Sequence, residues 1–434
     1  MEKKQQLVET TTYQPVSLEE KRSWGSIAFM WMGSTICVPA LMVGGMIGMG
    51  MPFSQAIWAM VAGFALVCIY MIFIGAQGSD LGLPTTAIFS RAFGERGSKV
   101  ASGLVIAICG IGWFGMQTTI CGSSFCQILS DFVGIDFPLW LSSTIWGAAM
   151  LITAVYGIKF IDVLNKISVP ALLIMLIWGL IHALSNGAGE VVANYVPAEP
   201  MTFIAGTTLA VSGFAVGAVL SADYTRYCKS RRDTALSSIL GVLPTSVLVL
   251  AIGGVLAVTT GNYDLTLMFS GMGLPLVGLL CLILATWTTN CGNAYSGGIA
   301  IVGIFNLKDD KRPIVTLLAG AVGTILAIVG IMNFFTPFLN FISLLVPPMA
   351  GVAIADDYWI LGKGKKEGWK PFKGVNWLGL ISWACGTAFG ILFTFFIPTI
   401  NAVIVSMLIY IILINVVKSP KLNPFSAQNL EESA

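Results

Sequence analysis

Apolar residues run along the chain in long blocks separated by short polar stretches. Twelve blocks stand out, at 26–48, 54–77, 98–128, 139–157, 167–186, 202–222, 235–258, 273–304, 314–333, 337–356, 376–397 and 399–417. As a helix rising ~1.5 Å per residue, each is long enough to cross a hydrocarbon layer of roughly 30 Å. A membrane barrel would show short alternating segments instead. The pattern predicts an all-α integral membrane protein with twelve transmembrane helices in one bundle over 25–418, between polar tails at 1–24 and 419–434. The first block follows more than twenty polar residues, so its helix is expected to belong to the mature protein and not to a cleaved leader.

Charge then orients the bundle. All 23 Lys and Arg residues fall in the two tails or in connections after even-numbered spans, as with Arg91, Arg96 and Lys99 after span 2 and Lys308, Lys311 and Arg312 after span 8. Connections after odd-numbered spans hold acidic residues such as Asp131, Asp136, Glu190 and Asp264. The positive-inside rule therefore predicts both termini on the cytoplasmic side of a cell membrane, inner or plasma. Composition agrees: 56% of residues are hydrophobic and 10% charged, against about 25% charged in soluble domains. A net charge of +2 implies no nucleic-acid partner. The nine cysteines show no CxxC spacing and read as packing residues.

Within this frame two spans look interrupted. Span 1 contains GSTICVPALMVGG (33–45), where Pro39 lacks a backbone donor and glycines surround it. Span 6 contains TTLAVSGFAVGAV (207–219), with Gly213 and Gly217 at similar depth. Close packing would also use glycines. Paired breaks five spans apart predict an inverted-repeat transporter with its site at mid-membrane.

Polar side chains concentrate in span 8, where LATWTTNCGNAYSGG (284–298) places Thr288, Thr289, Asn290, Asn293, Tyr295 and Ser296 within nine positions. Such groups are costly in hydrocarbon and should face an interior site, although a single Thr can bond back to its own helix. Hydroxyls beside backbone carbonyls suit a hard monovalent cation, and neutral amides suit a ligand with paired donors and acceptors. In span 3, GWFGMQ (112–117) sets Trp113 and Gln117 four residues apart on one helix face. A ring face and an amide one turn away suit a flat heterocycle. Gly112 and Gly115 allow neighbouring helices to come close. His182, the single histidine, sits near the end of span 5 and reads as a helix-end residue. Asp223, Asp356 and Asp357 sit at cytoplasmic helix ends, and Asp223, with Arg226 nearby, reads as part of a structural ion pair or gate.

GWFGMQ (112–117), SADYTRY (221–227), WTTN (287–290) and FISLLVPPMAGVAIADDYW (341–359) together resemble the first nucleobase–cation symporter family, the group of cytosine permeases, purine–cytosine permeases and hydantoin transporters. The resemblance covers roughly residues 20–420. It implies a LeuT-like fold of two inverted five-helix repeats plus two C-terminal helices. It also implies a substrate site between spans 1, 3, 6 and 8, with Trp113 stacking on the base, Phe214 beside Gly213 as the opposing aromatic, and Gln117, Asn290 and Asn293 for ring-edge contacts. A Na⁺ site is implied at Cys37, Ala40 and Ala285 with the hydroxyls of Thr288 and Thr289. Some positions depart from the family's cytosine permeases. Gly110 stands where those have glutamine, and Gly213 and Val216 stand where they have serines.

The expectation is thus a secondary active symporter, not an enzyme, importing cytosine or a related purine or pyrimidine base with Na⁺ or H⁺ and needing no other cofactor. Hydantoin or allantoin, a vitamin precursor or an amino acid are the alternative cargoes on the same fold. A membrane-embedded enzyme would want intramembrane His, Asp or Glu clusters, which the spans lack. The bilayer and the small-molecule substrate are the expected partners, with no obligatory protein partner.

Overall fold

The computed structural model describes residues 15–156, 158–361, 369–419 and 422–423; the outer parts of both tails lie outside these. The described residues are helical. In chain order the helices are α1 (Trp24–Thr35), α2 (Val38–Gly50), α3 (Phe53–Leu81), α4 (Thr85–Phe93), α5 (Glu95–Ile128), α6 (Leu139–Tyr156), α7 (Ile158–Ser185), α8 (Ala188–Ala193) and α9 (Phe203–Val219). There follow α10 (Ala222–Thr225), α11 (Arg231–Thr260), α12 (Leu265–Ser270), α13 (Pro275–Ile304), α14 (Arg312–Ile328), α15 (Phe335–Leu345), α16 (Pro347–Ala355), α17 (Trp377–Leu392) and α18 (Pro398–Val416). Helix occupies each apolar block, in order. Six helical spans are long and apolar enough to cross a membrane by themselves, and a seventh is the bent pair α1–α2. The remaining apolar helices are shorter.

Span 1 breaks where the sequence predicts, with a displaced hinge. α1 and α2 meet at 69° across Ile36 and Cys37. Pro39 lies inside the first turn of α2, where its missing N–H would have no partner in any case. The expected break in span 6 is absent. α9 runs through Gly213 and Gly217 and stops at Leu220. A glycine keeps both backbone hydrogen-bonding groups and stays helical when packing favours it, whereas proline cannot. Span 10 runs as one helical stretch, Ile331–Ile360, with a local interruption at Val346, just before Pro347 and Pro348.

Glycines set the tightest seams. α11 lies along both halves of span 1. Gly241 abuts Ala28 and Trp31 of α1, while Gly44 and Leu41 of α2 press on Leu250 and Gly253. A β-carbon on Gly48 would stand 2.6 Å from the Cα of Gly254. Side chains any larger would force these helices apart.

The ends richest in Lys and Arg are braced by ion pairs. Arg91 of α4 meets Asp356 at 2.8 Å in a buried contact, and Tyr410 and Asn376 extend it at 3.0 and 3.2 Å. Arg231 holds Asp80 at 2.6 Å. Asp223 accepts from the Thr85 amide at 2.8 Å. Asp80, Asp223 and Asp356 are thus built into joints. Of the N-terminal tail, residues 15–22 dock on the same end. Lys21 Nζ donates to the carbonyls of Ser79 and Arg226 at 3.0 and 2.8 Å, and the Arg22 amide donates to Tyr227 O at 2.7 Å. His182 stacks on Trp178 near the opposite end and packs against the Gly273 turn.

Candidate substrate and cation site

α5 and α13 are packed face to face. A β-carbon on Gly110 would lie 2.8 Å from Asn293 O and 3.1 Å from the Cα of Gly297. A β-carbon on Gly115 would lie 2.8 Å from Gly323 O of α14, and one on Gly112 would enter the Phe338 ring. The absence of side chains at these glycines lets Trp113 stand half-buried between α5 and α15. The indole meets Phe338 edge-on at 5.5 Å and Phe335 at 6.2 Å. One turn on, Gln117 is 2% exposed and its Oε1 has no hydrogen-bond partner. A buried acceptor left unmatched costs about 1–3 kcal/mol, so this carbonyl is suited to a donor from a ligand.

Phe214 of α9 is held separately, by Trp31 of α1 and Phe64 of α3, each with ring centroids 6.2 Å away. Beside it Cys37, Ala40, Gly213 and Ser246 line one cavity with room of about 20 Å³. The structure therefore brings the hinge of span 1 next to Gly213 and Phe214. A roomier cavity of about 400 Å³ lies between the end of α5 and α12, lined by Gln127, Asp136 and Asp264. It holds none of the predicted site residues and sits at the acidic end of the bundle.

Asn290 is placed differently from expectation. It is fully buried, and its Nδ2 donates to Phe114 O and Thr118 Oγ1, both at 3.0 Å, with Met150 Sδ at 3.2 Å. These bonds turn it toward α5 and α6, because both of its amide hydrogens are spent there. Its Oδ1 accepts from Asn293 Nδ2 at 3.3 Å. Asn293, only partly buried, is the amide of this pair nearer the open face of α13. Thr288 and Thr289 both donate to Ala285 O, at 3.0 and 2.9 Å. The hydroxyl oxygens and that carbonyl are thus drawn together while each hydroxyl keeps lone pairs free. Cys37 caps α2, and its carbonyl accepts from the Ala40 amide at 3.1 Å. Cys37 and Ala40 line the cavity beside Phe214, whereas Ala285, Thr288 and Thr289 are not among its lining residues; the oxygens of both groups are neutral.

α13 also has two exposed faces. Leu276, Val277 and Leu280 are exposed on one side. Thr289, Gly292, Ser296 and Gly303 are exposed as well. At ~100° per residue, Thr289 lies half a circle from Leu280 and the other three lie within about 60° of Thr289. A second, polar stripe thus faces away from the apolar one and runs toward the basic end of the helix, where Lys308 and Arg312 stand. β-carbons at Gly292 and Gly303 would meet nothing within 4 Å. Sequence reasoning missed Ser246 and the aromatics Trp31, Phe64, Phe335 and Phe338. A lone serine in an apolar helix gives no pattern, though the aromatic density of FFTPF (334–338) is a visible signal.

An α-helical bundle with a hinged span against a half-open, uncharged site of aromatics, amides and hydroxyls defines a polytopic membrane transporter. Residues 15–413 match the family of permeases for cytosine/purines, uracil, thiamine and allantoin, and the chain belongs to that family. It is 27% identical to the cytosine permease of Escherichia coli (strain K12) over 404 residues, covering 92% of this chain and 93% of that protein. The fold resembles the inward-facing conformation of Mhp1, with a TM-score of 0.80, 22% identity and 98% of each chain covered. The likeness to closed Mhp1 with bromovinylhydantoin bound has a TM-score of 0.74 at the same identity and coverage.

Proposed function

We propose that the protein is a cation-coupled symporter that imports a nucleobase, cytosine or a related purine or pyrimidine, across the cell membrane. Twelve crossings arranged as five plus five plus two, with both termini cytoplasmic, suit the charge parity and the helix order. The packing supports a repeat, since span 1 lies on α11 as α9 lies on α3, which is the exchange expected between spans 1 and 7 and spans 6 and 2. The observation that carries the reading is the meeting of the span 1 hinge with Gly213 and Phe214 around one cavity.

In this scheme Trp113 and Phe214 take the two faces of the ring, and Gln117 and Asn293 take its edge. Asn290 holds Asn293 and α5 in place. Carbonyls of Cys37, Ala40 and Ala285 with the hydroxyls of Thr288 and Thr289 would hold Na⁺. None of these oxygens exchanges a proton near neutral pH, so Na⁺ is favoured over H⁺. A cation there supplies charge that favours one arrangement of the hinge, and each ligand then raises the other's affinity. The polar stripe of α13 serves as the exit to the cytoplasm.

Purified protein in Na⁺ and in choline, titrated with purines, pyrimidines and hydantoins while melting is followed, tests this. A base should raise the Tm, and more so in Na⁺. No stabilisation by any of these rings in either salt overturns the assignment. Equal stabilisation in Na⁺ and choline, with uptake following pH, assigns the coupling to H⁺.

A further inference from the structure

Ser246 lies on α11 between the residues that grip α1 and those that grip α2, opposite the hinge of span 1. The side chain is 2% exposed, and its Oγ has no hydrogen-bond partner. It lines the same cavity of about 20 Å³ as Thr35, Cys37, Gly213 and Phe214. That room is about one water-sized group. The adjoining wall is hydrocarbon, with Phe64 and Leu250. The proposed cation ligands Ala285, Thr288 and Thr289 do not line it, so a bare cation centred there would find few oxygens beyond those of Thr35, Cys37 and Ala40 to replace its water. A neutral polar atom on a ring stacked against Phe214 fits both the size and the single hydroxyl.

We propose that this cavity is a subsite for one exocyclic group of the substrate, an oxo or amino substituent, with Ser246 as its hydrogen-bond partner. A hydroxyl both donates and accepts, so the subsite takes either group. It selects by size and admits no branched substituent. The inference rests on the transport reading above and adds a specificity residue to it.

The test is calorimetric titration of the full-length protein with purine and hypoxanthine, which differ by one exocyclic oxygen and its tautomeric proton. Ser246→Ala should cut the preference for hypoxanthine over purine about tenfold, as for one lost hydrogen bond. Adding Gly213→Ser should restore most of it. A β-carbon on Gly213 meets only Val43, at 3.7 Å, so a serine there offers a hydroxyl from the facing wall. Should the alanine variant not fold, Ser246→Thr, which keeps the hydroxyl but fills the space, should weaken hypoxanthine more than purine. An unchanged ratio in the folded variants overturns the subsite and leaves the cavity to water. A shift in Na⁺ dependence with an unchanged ratio also overturns it and gives the hydroxyl to the cation. If neither base binds the unaltered protein in Na⁺ while another nucleobase does, the inference falls and the transport reading stands; if no base binds, both fall.

Discussion

Trp113 and Phe214 are the two aromatics of the proposed stack, and their surroundings differ. Trp113 is wedged between two phenylalanine edges on α15, behind glycines that admit no side chain. Phe214 faces slack: a small cavity, an unpaired hydroxyl, and Gly213, where a β-carbon would make only ordinary contact with Val43 at 3.7 Å. In the proposed stack one wall would hold the ring plane, and the other would adapt to what the ring carries. Rigidity on one side of a site lowers the ordering cost of binding, while slack on the other sets which substituents fit.

The sharpest way to break the contrast is Gly112→Val. Its side chain would enter the Phe338 ring, so uptake should fall to background and the Tm should drop, as overpacking costs about 1–3 kcal/mol or more. Next come the two aromatics themselves. Trp113→Ala should lower uptake about a hundredfold, since stacking a base contributes ~1–3 kcal/mol, and Phe214→Ala should lower it about tenfold. Unchanged uptake in Trp113→Ala would sink the stack. Asn290→Ala should destabilise the protein by roughly 1–3 kcal/mol in a thermal melt by freeing the Phe114 carbonyl and Thr118. An unaltered melt would contradict its place behind the rigid wall. Phe338→Leu should weaken base affinity about fivefold, the scale of one aromatic edge contact. Gly213→Ala should change the melt by less than ~0.5 kcal/mol, and a larger loss would mean that the second wall is as tight as the first.

Much of this was legible in the sequence, for identifiable reasons. Apolar blocks and the parity of Lys and Arg report directly on burial in lipid, and helices occupy the predicted blocks. Gly112 and Gly115 were read as points of close approach, and both are. The hinge was misplaced from Pro39 to the pair before it because proline tolerates a first turn. Span 6 was expected to break because glycine permits a bend, yet permission is not cause, and α9 packs straight against α3. Asn290 was grouped with the site by motif. Which way an amide turns depends on the carbonyls of two other helices, and no local pattern contains that information. Ser246 has no neighbours in sequence that share its surroundings, so only the crossing of α11 over the hinge exposes it.

The close approach at Gly110 bears on how such a site can change over generations. A glutamine at 110 would need its β-carbon 2.8 Å from Asn293 O. α13 would have to shift before that residue could be accepted. The reverse replacement, large to small, meets no such obstacle. Position 110 is therefore closed to an amide in this packing, and opening it would take a change in α13 as well. Gln117, on the same helix two turns on, is then the place where an amide can persist while position 110 stays closed.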